Sequence, residues 1–208
     1  KSSNATGVAL EFGNCRMSSV TEQWTRNLRT AVQFFGTGTI SISKGNYRNY
    51  QRAIYNYAAG DALVLAQDVV IEGNNFSLIG ESPAPSVTPW AVKCDGWISG
   101  WTLRENTVAI NHGGLWSFPS GSNRGGEQKE TKDVHAVRNF CEQSVDARYI
   151  HCFQDFGGLI SMSVEGGMYP SVAGLPAIDI EFLGAQGGAI DNDEPAMFVA
   201  RGVSFPSR

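Results

Sequence analysis

Two stretches of this chain can be laid one beneath the other, and that alignment constrains the fold more than any other feature. Val70-Ile71-Glu72-Gly73-Asn74-Asn75-Phe76-Ser77-Leu78 runs apolar, polar, glycine, then aromatic, hydroxyl, leucine, and Trp97-Ile98-Ser99-Gly100-Trp101-Thr102-Leu103 keeps that order with two fewer residues in the corner. The two leucines stand 25 positions apart, within the period of roughly 20 to 50 residues found in solenoid repeats. Neighbouring side chains of a strand point to opposite faces. Ile71, Phe76 and Leu78, and likewise Ile98, Trp101 and Leu103, are therefore expected to point inward, with Glu72, Ser77, Ser99 and Thr102 outward. Gly73 and Gly100 fall where the chain must bend and a side chain would crowd the corner.

Further short strands extend the pattern. Thr39-Ile40-Ser41-Ile42-Ser43 alternates strictly and reads as a strand. Residues 145–153, 159–167, 177–182 and 196–205 read the same way, with Ile160, Met162 and Val164, and then Ile178, Ile180 and Phe182, on the inward side. Gly157-Gly158, Gly166-Gly167 and Gly187-Gly188 mark corners between them. One exception stands near the N-terminus. Trp24, Leu28, Ala31 and Phe35 recur at spacings of three and four, which predicts a short amphipathic helix over residues 20–35, closed by Gly36. The expected organisation is an N-terminal portion, 1–61, followed by a run of repeats over 62–208. Two insertions interrupt that run: 82–89, rich in proline, and 117–132, rich in glycine and polar residues. Both read as protruding loops, where a rigid scaffold can present a binding surface.

Composition narrows the function classes. Charged residues make up 17% of the 208 residues and glycine contributes 24 of them, as in a turn-rich, ordered all-β chain. The formal charge is -4 with scattered Lys and Arg, which argues against a nucleic-acid partner. No run approaches the ~20 apolar residues that would insert in a membrane. Cys15, Cys94, Cys141 and Cys152 lack the close pairs of a zinc or redox site and read as buried thiols, with a disulfide as the alternative. No metal or cofactor is expected.

Candidate site residues follow from the strand pattern. With Ile178, Ile180 and Phe182 inward, Asp179 and Glu181 share the other face, their backbones about 6.6 to 6.8 Å apart. That spacing is compatible with an inverting glycosidase, where one acid protonates the leaving oxygen and a second activates water across ~6.5 to 9.5 Å. A plain solvent-facing pair is the competing reading. Sugar rings present C–H faces that pack on exposed aromatic rings. Trp97 and Tyr149, as corner or outward residues, the outward His151, and Trp116 beside an insertion are the carbohydrate-binding candidates. Trp116, like Trp90 and Phe118, is equally suited to a local core beneath its loop. The cluster Asp191-Asn192-Asp193-Glu194 before Pro195 reads as a solvated turn rather than a calcium loop. Glu165, Asp155 and His112 are isolated.

The stretch Ile-Ser-Gly-Trp-Thr-Leu-Arg-Glu-Asn, from Ile98 to Asn106, resembles the repeating coil of the pectate-lyase-like right-handed parallel β-helices, a group that includes many phage tailspikes. Arg104-Glu105-Asn106 resembles the polar, asparagine-closed corner of those coils. The resemblance implies a right-handed parallel β-helix and one of two activities: a polysaccharide-degrading enzyme, or a trimeric phage adhesin with depolymerase activity. The irregular insertions favour the tailspike-like reading. Its partner would then be bacterial surface polysaccharide, its assembly a homotrimer and its place an extracellular virion tail. Neither the aspartate array of calcium-dependent pectate lyases nor the paired-aspartate motif of polygalacturonases is present, so no catalytic residue transfers from either. A non-catalytic receptor-binding or structural β-helix is the alternative, and a jelly roll a more distant one.

Overall fold

The computed structural model describes residues 7–36, 38–57, 65–77, 90–109, 114–117, 131–142, 153–159, 161–170, 178–182 and 197–206. Among them are twenty strands and no helix. In chain order these are β1 (Val8–Gly13), β2 (Met17–Thr21), β3 (Trp24–Arg26), β4 (Thr30–Phe35), β5 (Thr39–Ser43), β6 (Asn46–Arg48) and β7 (Arg52–Asn56). After these come β8 (Leu65–Gln67), β9 (Val69–Glu72), β10 (Asn75–Ser77), β11 (Trp90–Cys94), β12 (Trp97–Arg104), β13 (Thr107–Ala109) and β14 (Gly114–Ser117). The last are β15 (Thr131–Val137), β16 (Phe140–Cys141), β17 (Phe153–Leu159), β18 (Ser161–Glu165), β19 (Ile178–Phe182) and β20 (Met197–Arg201).

The protein is all-β, and every strand pairing among the described residues is parallel. The strands fall into three ladders. The first joins β1, β4, β7, β11, β14, β17 and β19; the second joins β2, β5, β9, β12, β15, β18 and β20, with β8 beside β12; the third joins β3, β6, β10, β13 and β16. The first two belong to one 15-stranded sheet, and the third is a separate five-stranded sheet. The chain visits the ladders in turn, so that β1-β2-β3 are followed by β4-β5-β6. Each such set is called a rung below.

In the first rungs the partners are 22 residues apart in every ladder: Val8↔Thr30↔Arg52, Met17↔Thr39, Trp24↔Asn46. This corrects the expected helix over residues 20–35, which is instead the end of β2, then β3 and the whole of β4. The spacings of three and four among Trp24, Leu28, Ala31 and Phe35 are accidental. Glu22 and Asn27 take left-handed conformations, φ 55° and 58°, which break any helix twice, while Val20, Thr21, Thr25, Thr30 and Val32 favour extended backbone. Strands on either side of residue 61 pair with one another, as in β4-β7-β11 and β5-β9.

The repeat alignment also shifts. Ile71 pairs with Leu103 and Glu72 with Arg104, so Gly73 corresponds to Glu105 rather than to Gly100. Gly100 instead lies over Asp68, whose Oδ1 would be 2.7 Å from a Cβ there, at a kink dividing β8 from β9. The inward assignments hold where the structure describes them: Ile71, Phe76, Ile98, Trp101, Leu103, Met162 and Val164 are all buried. Ser77, expected outward, is buried as well. β5 matches its expected bounds. The first insertion, 82–89, lies outside the described set, as do residues 118–130 of the second; the ends of the second, Ser117 and Thr131 with Lys132, belong to β14 and β15.

Each rung turns through corners that use left-handed residues. Between the second and third ladders Glu22, Lys44, Gly73, Glu105, Arg138, Gly166 and Gly202 all have φ between 48° and 61°. The amide of each of the first six donates to the rung that follows, as in Glu105 N to Val137 O at 2.9 Å. Immediately after them Asn74, Asn106 and Asn139 are buried and form a hydrogen-bonded stack. The Asn106 side-chain amide donates to Ile71 O at 2.8 Å and to Asn139 Oδ1 at 3.0 Å, and its Oδ1 accepts from the Asn74 backbone and side-chain N–H groups at 3.0 Å. The stack stops at glycines: Gly45 N donates to Asn74 Oδ1 at 2.8 Å, and at Gly167 a Cβ would collide with the Asn139 carbonyl. Buried polar groups require partners, and here asparagine supplies them rung by rung.

The core is a column of stacked side chains. Tyr47 stacks on Phe76 at 5.2 Å, and Trp101 lies between Phe34 at 5.8 Å and Trp116 at 5.9 Å. The Trp101 indole N–H, which would be costly to bury alone, donates to Ala66 O at 2.9 Å. Cys94 and Cys141 are buried in the core, and the half-buried Cys15 thiol donates to Gly13 O at 3.4 Å.

Candidate carbohydrate-binding face

The first ladder presents an aromatic and charged surface built from residues far apart in sequence. Registers align Glu11↔Gln33↔Tyr55↔Lys93↔Ser117. The residues two places on form a second row, Gly13↔Phe35, continued by Tyr57 and Asp95. Gln33, Phe35, Tyr55, Tyr57, Lys93 and Asp95 are half-buried while Val32, Phe34, Ile54, Val92 and Cys94 between them are buried, as alternation across one sheet requires.

Both tyrosine rings are held in place. The Tyr57 hydroxyl donates to Glu11 Oε1 at 2.7 Å and the Tyr55 hydroxyl to Asp95 Oδ2. The Arg52 guanidinium sits 3.9 Å from the centre of the Tyr55 ring and donates through Nε to Thr30 Oγ1 at 3.2 Å, a cation–π contact that fixes the ring from one side. Tyr55 and Tyr57 are 5.9 Å apart, and Phe35 lies 5.0 Å from Tyr57. Phe35 also leans over Gly13, where a Cβ would fall 2.5 Å from its ring; glycine there makes room for the aromatic. Lys93 and Asp95 form an ion pair at 3.6 Å. Burial, followed by the Asp95 hydrogen bond, raises the Tyr55 phenol above its ordinary range, and burial with the Glu11 hydrogen bond does the same for Tyr57. Both hydroxyls therefore remain protonated donors at any ordinary pH.

Such a face suits a sugar polymer. Rings of fixed orientation offer flat apolar surfaces to pyranose C–H groups, and anchored carboxylates, an amide and two cations ring them with hydrogen-bonding groups for hydroxyls. No local signal betrays it, since its members run from Glu11 to Asp95. A self-alignment of residues 8–57 at 22 residues would have stacked Glu11, Gln33 and Tyr55.

The residues singled out from sequence lie as follows. Asp179 and Glu181 are in β19, opposite Gln154 and Phe156, so that Asp179 continues the row of Tyr55, Lys93 and Ser117 through Gln154. Of these two acids, as of Trp97 at the start of β12, only the backbone is described. Tyr149 and His151 lie outside the described residues, as do His112 and the acidic cluster 191–194. Trp116 needs correction. It pairs with Val92 on the inward row, is fully buried and packs on Trp101, so it belongs to the core rather than to a sugar platform. Glu165, at the end of β18, is exposed and pairs in register with Arg201.

The second ladder has a different exterior. Glu72 pairs with Arg104 at 2.6 Å and Glu105 with Arg138, opposite charges on successive rungs. His135 Nδ1 lies 2.8 Å from Ser163 Oγ, a cross-strand pair that the sequence reading did not single out. No group of three or more metal-ligating side chains occurs among the described residues. No protein-family model, no curated protein and no solved structure matches this chain.

Proposed function

We propose that the chain is a right-handed parallel β-helix of tailspike-like type whose first-ladder face binds a bacterial surface polysaccharide. The cyclic order of the strands through three parallel ladders supports the helical winding, and parallel crossovers are right-handed in about 98% of cases. The observation that carries the ligand is the platform of Phe35, Tyr55 and Tyr57, with both phenols pinned to carboxylates. Four ladder steps of ~4.8 Å separate Tyr55 from Asp179 in its row, roughly 19 Å, a length over which an oligosaccharide lying along the ladder reaches from the platform to the acids. Asp179 and Glu181 are the pair proposed to act as general acid and base on a bond held there. In the same reading the protein is a homotrimer of a virion tail, working outside the host.

The test is a panel of capsular and O-antigen polysaccharides, followed by binding and by release of reducing ends. Replacing Tyr55 or Tyr57 by Ala is expected to weaken binding at least tenfold with the fold intact by circular dichroism. Asp179→Asn and Glu181→Gln are expected to abolish cleavage and spare binding. Binding without new reducing ends in the wild type would assign the non-catalytic alternative, which the platform supports equally. Unchanged affinity in both tyrosine variants would end the proposal.

A further inference from the structure

The third ladder carries an exposed aromatic and two exposed cations that have no acidic partner among the described residues. β3 and β6 pair as Trp24↔Asn46, Thr25↔Tyr47 and Arg26↔Arg48. Tyr47 is buried in the core, so Trp24, Arg26, Asn46 and Arg48 occupy the opposite face. Trp24 is 75% exposed, an unusual position for the largest side chain. Arg26 and Arg48 stand side by side on neighbouring strands, about 4.8 Å apart, and like charges directly opposite one another are destabilising. Neither has an acidic partner among the described residues, whereas on the second ladder Arg104 and Arg138 each face a glutamate. Arg48 Nε donates to Asn46 Oδ1 at 3.1 Å, which steadies that guanidinium. The surroundings sharpen the field. Residues 1–57 hold seven of the sixteen Lys and Arg but only two of the twenty Asp and Glu.

We infer that Trp24, Arg26 and Arg48 form a second sugar subsite, one that takes an acidic residue such as a uronic acid. The pyranose ring packs on the indole face, and its carboxylate lies between the two guanidinium forks, which bind planar oxyanions through paired N–H bonds. An anion there turns the repulsion between neighbouring arginines into attraction. The inference shares with the proposed function the idea of a polysaccharide ligand, but it stands on a different ladder and different residues.

The experiment compares a glucuronic acid hexamer with a glucose hexamer of equal length by titration calorimetry on the full chain. The wild type is expected to bind the acidic oligomer at least tenfold more tightly. Arg26→Gln and Arg48→Gln, both at exposed positions, are expected to erase that preference, and Trp24→Ala to weaken the acidic oligomer tenfold while Trp24→Phe restores part of it. Equal binding of the two oligomers, no binding of either, or an acidic preference that survives both arginine changes overturns the inference. Tyr55→Ala separates the two faces. If it abolishes all glycan binding while the Trp24 and arginine variants behave as wild type, the inference falls and the first-ladder reading stands. If it leaves the acidic preference untouched while the Trp24 and arginine changes remove it, the inference stands without that reading.

Discussion

Two corners of this molecule use asparagine, and they use it in opposite ways. Between the second and third ladders the left-handed residue is Glu22, Lys44, Glu105, Arg138 or glycine, and in three successive rungs a buried asparagine follows it: Asn74 after Gly73, Asn106 after Glu105 and Asn139 after Arg138. Between the third and first ladders Asn27 and Asn49 themselves take the left-handed conformation, φ 58° and 52°, and the Asn49 amide donates across the rungs to Asn27 Oδ1 at 3.0 Å. At the first corner asparagine is a source of hydrogen bonds for a dry interior. At the second it is a residue that tolerates an awkward backbone, near the surface. The same residue type is therefore worth different amounts at the two places.

The largest effect that would sharpen the contrast is expected from Asn106→Ala. It strips hydrogen bonds from the Asn74 N–H groups, from Ile71 O and from Asn139 Oδ1. Each buried group left unpaired costs about 1 to 3 kcal/mol, so a loss of roughly 3 kcal/mol or more is expected in urea unfolding. A loss below about 1 kcal/mol would mean that water or a shifted backbone replaces the stack.

High pH probes the inner sides of both corners. Tyr47, just past the first, and Tyr50, at the second, both pack on Phe76, and burial raises both phenols far above the ordinary value of 10.0. A raised acid contributes its full stability below the unfolded value and loses it as pH climbs beyond. Stability is thus expected to be level to about pH 10 and then to fall by roughly 1.4 kcal/mol per pH unit for each such tyrosine. Absorbance at 295 nm checks this, since these phenols should ionise only together with unfolding. Normal titration near pH 10 in the folded protein would show the rings to be accessible.

At the outer corner Asn49→Ala should cost only about 1 kcal/mol, chiefly the strain of a left-handed alanine; a cost equal to that of Asn106→Ala would erase the distinction. The smallest effect is expected from Lys44→Gly. Lysine at φ 56° is strained where glycine is not, and its side chain is exposed, so a gain of up to about 1 kcal/mol is expected. A loss would show that the side chain has a stabilising role at the corner.

The corners also explain which parts of the fold could be read in advance. Alternation is local, and it placed Thr39–Ser43 in a strand and put Ile71, Trp101, Leu103 and Met162 inside. Register is not local. The alignment of Gly73 with Gly100 failed because two glycines can serve a corner and a kink alike, and only the hydrogen bonds of the next rung distinguish them. The false helix at residues 20–35 arose the same way: three short strands and two corners happened to space their apolar residues at three and four. Trp116 was legible as either platform or core, and its pairing with Val92 decided for core.

By itself, then, the sequence determined the all-β class and the inward set of most strands, because the pleat imposes a two-residue period that needs no partner to be seen. The tertiary structure alone decided which strands lie side by side. That pairing brings Glu11, Phe35, Tyr57 and Asp95 to one face and Trp24 beside two arginines on another. The physical reason is that ladder neighbours are separated by whole rungs of 22 residues or more, so surfaces form across the chain rather than along it.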